Sequence, residues 1–318
     1  MKNDLPNTVQ HITVNQNEEG QRLDNYLLRI LKGVPRSHIY RIVRGGEVRV
    51  NKKRAKPSAR LCEGDSIRIP PIRTATTQNI HVSDGLAACL SRAILFEDDK
   101  MIVLSKPAGI AVHGGSGLSL GVIEAMRKVR TDLSYLELVH RLDKETSGCL
   151  LLAKKRSTLR AIQGLLEARQ VEKTYWALTV NPWQGRTSLW VDLPLQKSIL
   201  QSGERMVMAN EEGKQSRTHF SLLENYAHAC WIEARPKTGR THQIRVHAAQ
   251  LGHPIIGDEK YGSMQQPLAE LKPLKPRMYL HAYAIQFTLN EQDYHFKAEP
   301  DEVFARAIQL LGGKTHHV

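Results

Sequence analysis

A polar segment, His140-Arg141-Leu142-Asp143-Lys144-Glu145-Thr146-Ser147-Gly148, lies between two apolar runs, YLELV and CLLLAKK, so its charged residues fall in a connecting loop. Loops held by rigid strands often carry catalytic groups, and a carboxylate there can act as a nucleophile or a proton acceptor. The local sequence by itself also reads Asp143 as a turn former whose carboxylate takes nearby backbone N–H groups. Two other side chains could work with a carboxylate: Tyr175 in Lys173-Thr174-Tyr175, and Arg245 in His242-Gln243-Ile244-Arg245. On their own they read as a half-buried strand tyrosine and a surface arginine.

Rival chemistries have less support. His242, His247, His253 and His281 match no metal-ligand spacing, and H-E-x-x-H is absent. Gly114-Gly115-Ser116-Gly117 lacks both the Gly-Lys-Ser/Thr ending of a phosphate loop and the full dinucleotide pattern, and reads as a tight loop. Gly117-Leu118-Ser119-Leu120-Gly121 is a literal G-x-S-x-G, which in a hydrolase or esterase would make Ser119 the nucleophile. A hydrolase elbow needs a core strand running straight into the turn, and Pro107, Gly109 and Gly114 interrupt this one.

The elements that must position these residues are mostly strands. Residues 92–318 contain short apolar stretches such as MIVLS, YWALTV, ACWIEA and YAIQFTL, bounded by turn residues and rich in β-formers. Helical periodicity is confined to Val122–Val129, Ser157–Ala168 and Phe304–Leu311. Without strict β-α alternation, the pattern predicts an α+β fold: a mixed α/β domain with a central, mostly antiparallel sheet.

The N-terminal part is organised differently. Leu23, Tyr26, Leu27, Ile30 and Leu31 space as an amphipathic helix. Ser37 is a candidate N-cap for a second helix, in which Ile39, Ile42 and Val43 alternate with Arg36, Arg41 and Arg44. Gly45-Gly46 closes it; Glu47–Asn51 alternates like a strand, Lys52, Lys53 and Arg54 follow, and Ser66–Ile69 forms another strand. Of a net charge of +13, residues 1–75 hold +8, from fifteen Lys/Arg against seven Asp/Glu. Such clustering predicts a polyanionic partner. This stretch resembles the S4 RNA-binding domain, here placed at residues 15–75. A polar linker is expected over 76–91, and the larger domain over 92–318.

Four stretches of the larger domain fit one family pattern in order: IVLSKPAGIAVH, HRLDKETSG, EKTYWAL and GRTHQIRVHAAQLGHPIIGDEKYG. Together they resemble the RluA-type pseudouridine synthases, and with the S4-like module they are most similar to the C branch of the ribosomal large-subunit enzymes. The resemblance implies isomerisation of several 23S rRNA uridines, including sites near the peptidyl-transferase centre. It assigns Asp143 as the catalytic carboxylate, acting on the sugar, on the base or on the C2′ proton. It assigns Tyr175 as the ring lying against the target base, Arg245 as the partner of the carboxylate, and Arg141 as the residue filling the space of the flipped nucleotide. No cofactor or metal is implied for this redox-neutral isomerisation, and a monomer is expected. An RNA-binding protein without catalysis would have no need of Asp143, Tyr175 and Arg245 together.

At 318 residues and 41% hydrophobic, the chain can bury sizeable cores. Cys62, Cys89, Cys149 and Cys230 form no C-x-x-C pair and read as reduced and structural. The polar start MKNDLPNTVQH and the lack of any apolar run near the ~18 residues of a membrane span predict a cytoplasmic protein.

Overall fold

The computed structural model describes residues 8–31, 33–72, 82–114, 120–199, 205–262 and 268–313. The chain divides into two compact units, Met1–His81 and Val82–Val318.

In the first unit the chain runs β1 (Gln10–Thr13), α1 (Leu23–Ile30), α2 (Arg36–Arg44), β2 (Arg49–Val50), β3 (Lys53–Arg54) and β4 (Ser66–Ile69). The strands order β1-β4-β2-β3, all antiparallel. The apolar stripes of both helices, Leu23, Tyr26, Leu27, Ile39, Ile42 and Val43, close over Ile67 and Ile69 in one core. The N-cap of α2 is Pro35, not Ser37, which lies inside the first turn; the fixed φ of proline suits the helix entrance. The expected strand Glu47–Asn51 is shorter, because Asn51 (φ 51°) and Lys52 (φ 67°) form the two-residue turn between β2 and β3. Paired positive φ values match the twist of a tight hairpin.

The second unit runs α3 (Asp84–Arg92), β5 (Ile94–Glu97), β6 (Met101–Lys106), α4 (Val122–Val129), β7 (Glu137–Leu138), β8 (Ser147–Ala153), α5 (Arg156–Glu167) and β9 (Glu172–Val180). There follow β10 (Ser188–Asp192), β11 (Leu195–Ile199), β12 (Arg205–Ala209), β13 (Arg217–Asn225), β14 (Ala229–Pro236), α6 (Gln243–Gln250), β15 (Leu280–Leu289), β16 (Gln292–Lys297) and α7 (Glu302–Leu310). Eight strands order β10-β13-β14-β9-β15-β8-β6-β5, with β16 beside β15 and β7 beside β8; β11 and β12 form a separate hairpin. The sheet is mixed: every pair is antiparallel except β15 with β8.

Helices cover both faces. Residues of β8 alternate between a cluster under α4, with Leu150 and Leu152, and one under α5, with Leu151 and Ala153. Likewise Ala177 of β9 packs under α6, while Leu178 packs under α7. This two-sided burial explains why β8 is apolar along its length and fully buried.

The expected linker is partly helical. Ser83 caps α3 by accepting the Leu86 N–H at 3.3 Å, and Leu86 and Leu90 pack into the α4 cluster. Only Leu86 and Leu90 of this nine-residue helix are large apolar side chains, too few for a helical period to stand out. The helix α6 was hidden for the opposite reason: Gln243 through Ala248 are all buried, so it has no polar face and no amphipathic period. Among the described residues, no helix is long and apolar enough to cross a membrane.

Candidate active site

The polar loop that enters β8 is fixed at three points. The Thr146 N–H donates to the Asp143 carbonyl at 3.2 Å, closing a turn around Lys144 and Glu145. Gly148 (φ 106°) lies at the parallel junction with β15, where a Cβ would stand 2.3 Å from the Ala282 carbonyl oxygen, so only glycine lets the strands meet. Lys106, at the end of β6, is fully buried, and its Nζ donates to the carbonyls of Pro107 (2.7 Å), Ile110 (2.8 Å) and Lys144 (3.1 Å). One ammonium thereby ties the loop after β6 to the loop carrying Asp143. Burial pushes its pKa down to about 7, with Glu145 and Asp143 opposing and Arg277 reinforcing the fall.

Asp143 faces the first turn of α6. Arg245 Nη1 donates to Asp143 Oδ2 at 3.0 Å, while Arg245 Nε and Nη2 donate to the two oxygens of Asp258, each at 2.7 Å. Burial works against this guanidinium, yet the Asp258 and Asp143 carboxylates outweigh it and hold its pKa above the ordinary range. Asp258, fully buried at its side chain, also accepts from the backbone N–H groups of Lys260 and Tyr261, so the fork is built before any ligand arrives. His242 Nε2 lies 3.7 Å from the same Asp143 Oδ2, and its Nδ1 lies 2.8 Å from the Tyr261 hydroxyl. Among the described residues, Asp143 Oδ1 takes no hydrogen bond. A carboxylate with one oxygen pinned and the other free is suited to attack or to proton removal.

The turn before α6 is held by Gln243, whose Oε1 accepts from Thr238 Oγ1 (2.7 Å) and the Arg240 N–H (3.0 Å), and whose Nε2 donates to Arg217 O and Thr218 Oγ1. Thr238, Arg240 and Gln243 help wall a cleft of about 520 Å³ that contains Asp143, Tyr175 and Arg245 together. Tyr175 is half-buried on β9, its pKa raised by burial and by the charge of Asp143. Its hydroxyl is therefore neutral and its ring is a flat apolar wall. Lys173, two residues away on the same face of β9, has its pKa lowered by burial. Arg141, Arg169, Lys173, Lys237 and Arg240 line the cleft with no ion pair among the described residues, whereas Glu167 and Asp143 are its only acids.

The structure places Asp143, Tyr175 and Arg245, the residues the sequence singled out, in one cleft, with Arg141 exposed at its rim. Sequence reading did not find Lys106, His242, Asp258 or Tyr261 in their working positions. The Asp258 to Tyr261 spacing of three was visible, but nothing local ties it to Arg245. The four histidines have four separate settings: His242 beside Asp143, His247 bonded to Ser216 and Thr218, His253 stacked on Trp183, and His281 between Ser147 and the Ala298 carbonyl. Ser119 lies outside the described residues; β6 ends at Lys106, and the described residues between it and α4 hold no strand to form an elbow. In the first unit, Arg36, Arg41, Arg44, Lys52, Lys53 and Arg54 are all exposed. Arg36 and Arg44 flank the Tyr40 ring at 5.8 and 5.6 Å, and Tyr40 is tied by its hydroxyl to Asp24 at 2.9 Å.

The family model described as RNA pseudouridylate synthase matches residues 100–250, and the S4 domain model matches residues 21–67. Among curated relatives, ribosomal large subunit pseudouridine synthase C of Yersinia pestis is 51% identical over 90% of this chain and 90% of its own length. The protein of that name from Haemophilus influenzae is 49% identical, covering 96% of each chain, and that from Escherichia coli K12 is 49% identical over 98% of this chain and 99% of its own. Among solved structures, human RNA pseudouridylate synthase domain containing 4 superposes with a TM-score of 0.60 at 27% identity, covering 71% of this chain and 95% of that one. Human RNA pseudouridylate synthase domain containing 1, at 23% identity and a TM-score of 0.54, shares the fold over 66% of this chain and 83% of its own. The chain belongs to the RNA pseudouridylate synthase family and carries an S4 domain ahead of the synthase unit.

Proposed function

We propose that this chain converts uridines of large-subunit (23S) ribosomal RNA to pseudouridine, with Asp143, Tyr175 and Arg245 as the working group. The observation that carries the reading is the Asp143 carboxylate, pinned through Oδ2 by Arg245 and open at Oδ1, beside Tyr175 in a cleft edged by unpaired cations. The names of the relatives support the choice of RNA, and a ribosomal substrate puts the reaction in the cytoplasm.

In the reaction the N1–C1′ bond breaks, the uracil turns within the cleft, C5 bonds to C1′, and the C5 proton leaves as N1 takes one up. Oδ1 of Asp143 meets the sugar, the base or the C2′ proton and is returned unchanged. The Tyr175 ring, its hydroxyl kept neutral, stacks on the uracil through its flat face. Arg245 offsets the carboxylate's charge from a fixed position, so little reorganisation accompanies the step. Arg141, at the rim, fills the space that the flipped nucleotide leaves. The exposed arginines of α2 and the β2–β3 hairpin hold phosphates and position the RNA without reading its bases.

Carbodiimide-dependent reverse-transcription stops in 23S rRNA test this. They should vanish at particular uridines, including sites near the peptidyl-transferase centre, in a deletion strain and return with the intact gene but not with Asp143→Asn. Stops lost only from transfer RNA would overturn the substrate.

A further inference from the structure

Arg245 is not the only group aimed at Asp143. We infer that His242 is a positioning residue for Asp143: Tyr261 holds it in the tautomer that presents Nε2–H to Oδ2, so that Oδ1 is the oxygen left for the nucleotide. The inference rests on the proposed pseudouridine chemistry for its consequence, though not for its geometry.

The tautomer follows from the partners. A carboxylate oxygen facing Nε2 at 3.7 Å accepts hydrogen bonds and cannot donate them, so the nitrogen turned to it carries the proton. Nδ1 then holds the lone pair and takes the Tyr261 O–H at 2.8 Å. The Tyr261 oxygen in turn accepts the Val207 N–H from β12 at 3.0 Å. The relay therefore runs in one direction, from a backbone N–H through a phenol and an imidazole to the carboxylate. The Arg245 guanidinium lies 5.1 Å from the centre of the Tyr261 ring, so the same residue that pins Asp143 also braces the phenol.

Backbone and burial agree with this role. His242 has φ 53° and ψ 18°, a left-handed conformation uncommon for a residue with a side chain, at the N-cap of α6. Its side chain accepts no N–H of the helix, so capping does not explain the strain. That backbone instead directs the ring towards Asp143, and strained residues gather where a site needs an exact direction. Burial lowers the imidazole pKa; Asp143 opposes this, Arg245 and Lys260 reinforce it and Asp258 opposes, so the neutral ring with one proton prevails at neutral pH. The 3.7 Å separation is longer than a hydrogen bond, and catalytic contacts of this kind tighten when substrate fills the cleft.

The test uses the full-length protein and two readouts. Nitrogen-15 NMR of histidine-labelled protein, with His242 assigned by its loss in His242→Asn, reports which ring nitrogen is protonated whether or not the protein is active. The expected result is the Nε2–H form in the wild type and a mixture of tautomers in Tyr261→Phe. Asparagine is chosen at 242 because it tolerates the left-handed backbone. Single-turnover tritium release from a 23S rRNA transcript labelled at uridine C5 should fall roughly tenfold in both variants at saturating RNA, the effect of one hydrogen bond to a charged group. RNA affinity should stay within about twofold, because neither residue supplies a phosphate contact. An Nδ1–H form in the wild type overturns the inference, as does an undiminished rate in Tyr261→Phe or a loss confined to RNA affinity. No tritium release from the wild type would instead refute the proposed reaction, with the NMR result still deciding the tautomer.

Discussion

Asp143 and Arg245 meet through one oxygen only: Arg245 Nη1 donates to Oδ2 at 3.0 Å, and Oδ1 is free of hydrogen bonds among the described residues. The two carboxylate oxygens are thus chemically unlike before substrate binds, and substitutions that keep shape while changing charge should separate their work. Asp143→Asn keeps the volume and can still accept from Arg245, but its amide is a poor nucleophile and base. It should lose at least ~4 kcal/mol of transition-state stabilisation, about 10³ in single-turnover rate, with folding and RNA affinity largely kept. Retention of more than about a tenth of the wild-type rate would remove Asp143 from the chemistry.

Arg245 serves two carboxylates with three N–H groups, a geometry lysine cannot reproduce. Arg245→Lys should keep one contact at a time and lower the rate by at least ~10²-fold, because the carboxylate loses its fixed partner. Asp258→Asn probes the support instead. Taking one charge from a pair whose side chains are 9% and 0% exposed should destabilise the unit by about 3 kcal/mol. Urea unfolding and tritium release on both variants distinguish the two: if Asp258→Asn is as stable as wild type, the buried fork is not what holds Arg245.

Much of the fold was legible because apolar periodicity reports burial on one side. The stripes of α1, α2, α4 and α7 gave helices within a residue or two of their ends, and alternating or wholly apolar runs gave the strands. An element buried on nearly every side, such as α6, and a short one with only two large apolar residues, such as α3, leave no period long enough to read. The site divides in the same way. Asp143, Tyr175 and Arg245 were readable because the family resemblance assigns each of them a role, whereas Lys106, Asp258 and Tyr261 lie in the same quoted motifs without one. The function of Lys106, Asp258 and Tyr261 depends on partners 13 to 54 residues away in sequence, as with Arg245 to Asp258 and Val207 to Tyr261. That pairing is set by the packing of α6 against the sheet, and no local pattern records it.

His281 predicts a pH dependence of stability. It is 1% exposed, its Nε2 donates to the Ala298 carbonyl at 2.7 Å, and its Nδ1 accepts from Ser147 Oγ at 2.8 Å, which Arg277 Nη2 also contacts at 3.0 Å. Burial pushes its pKa from 6.5 down to about 4. A group whose folded pKa is depressed binds its proton more readily when unfolded, so its stability contribution is present above the unfolded pKa and is lost as pH falls. The window runs from about 6.5 to about 4, and lowering pH from about 7 to 5 should remove about 2 kcal/mol through this residue. Urea unfolding at the two pH values, compared with His281→Asn, isolates the contribution. An equal loss in the variant would assign the effect to other groups.

The last prediction divides binding between the two units. Arg36, Arg44, Lys52, Lys53 and Arg54 are exposed and have no ion pair among the described residues, while Arg41 pairs with Glu47 at 3.5 Å. These side chains are free to neutralise phosphates. The cleft retains Arg141, Arg169, Lys173, Lys237 and Arg240 when the first unit is absent. Because α3 begins at Asp84 and packs Leu86 and Leu90 beneath α4, a truncation should begin at Val82 and spare that helix. A cut at residue 90 would strip apolar cover from the α4 cluster and confuse lost binding with lost stability. Each phosphate contact contributes about 0.7 to 0.9 to the slope of log affinity against log salt, so losing about four contacts should flatten it by roughly 3. The truncated protein should still release tritium from a short single-stranded RNA at high concentration, while its rate on long ribosomal RNA falls through affinity. An unchanged salt slope would move the phosphate contacts to the synthase unit, where the unpaired cations around Asp143 would have to supply them alone.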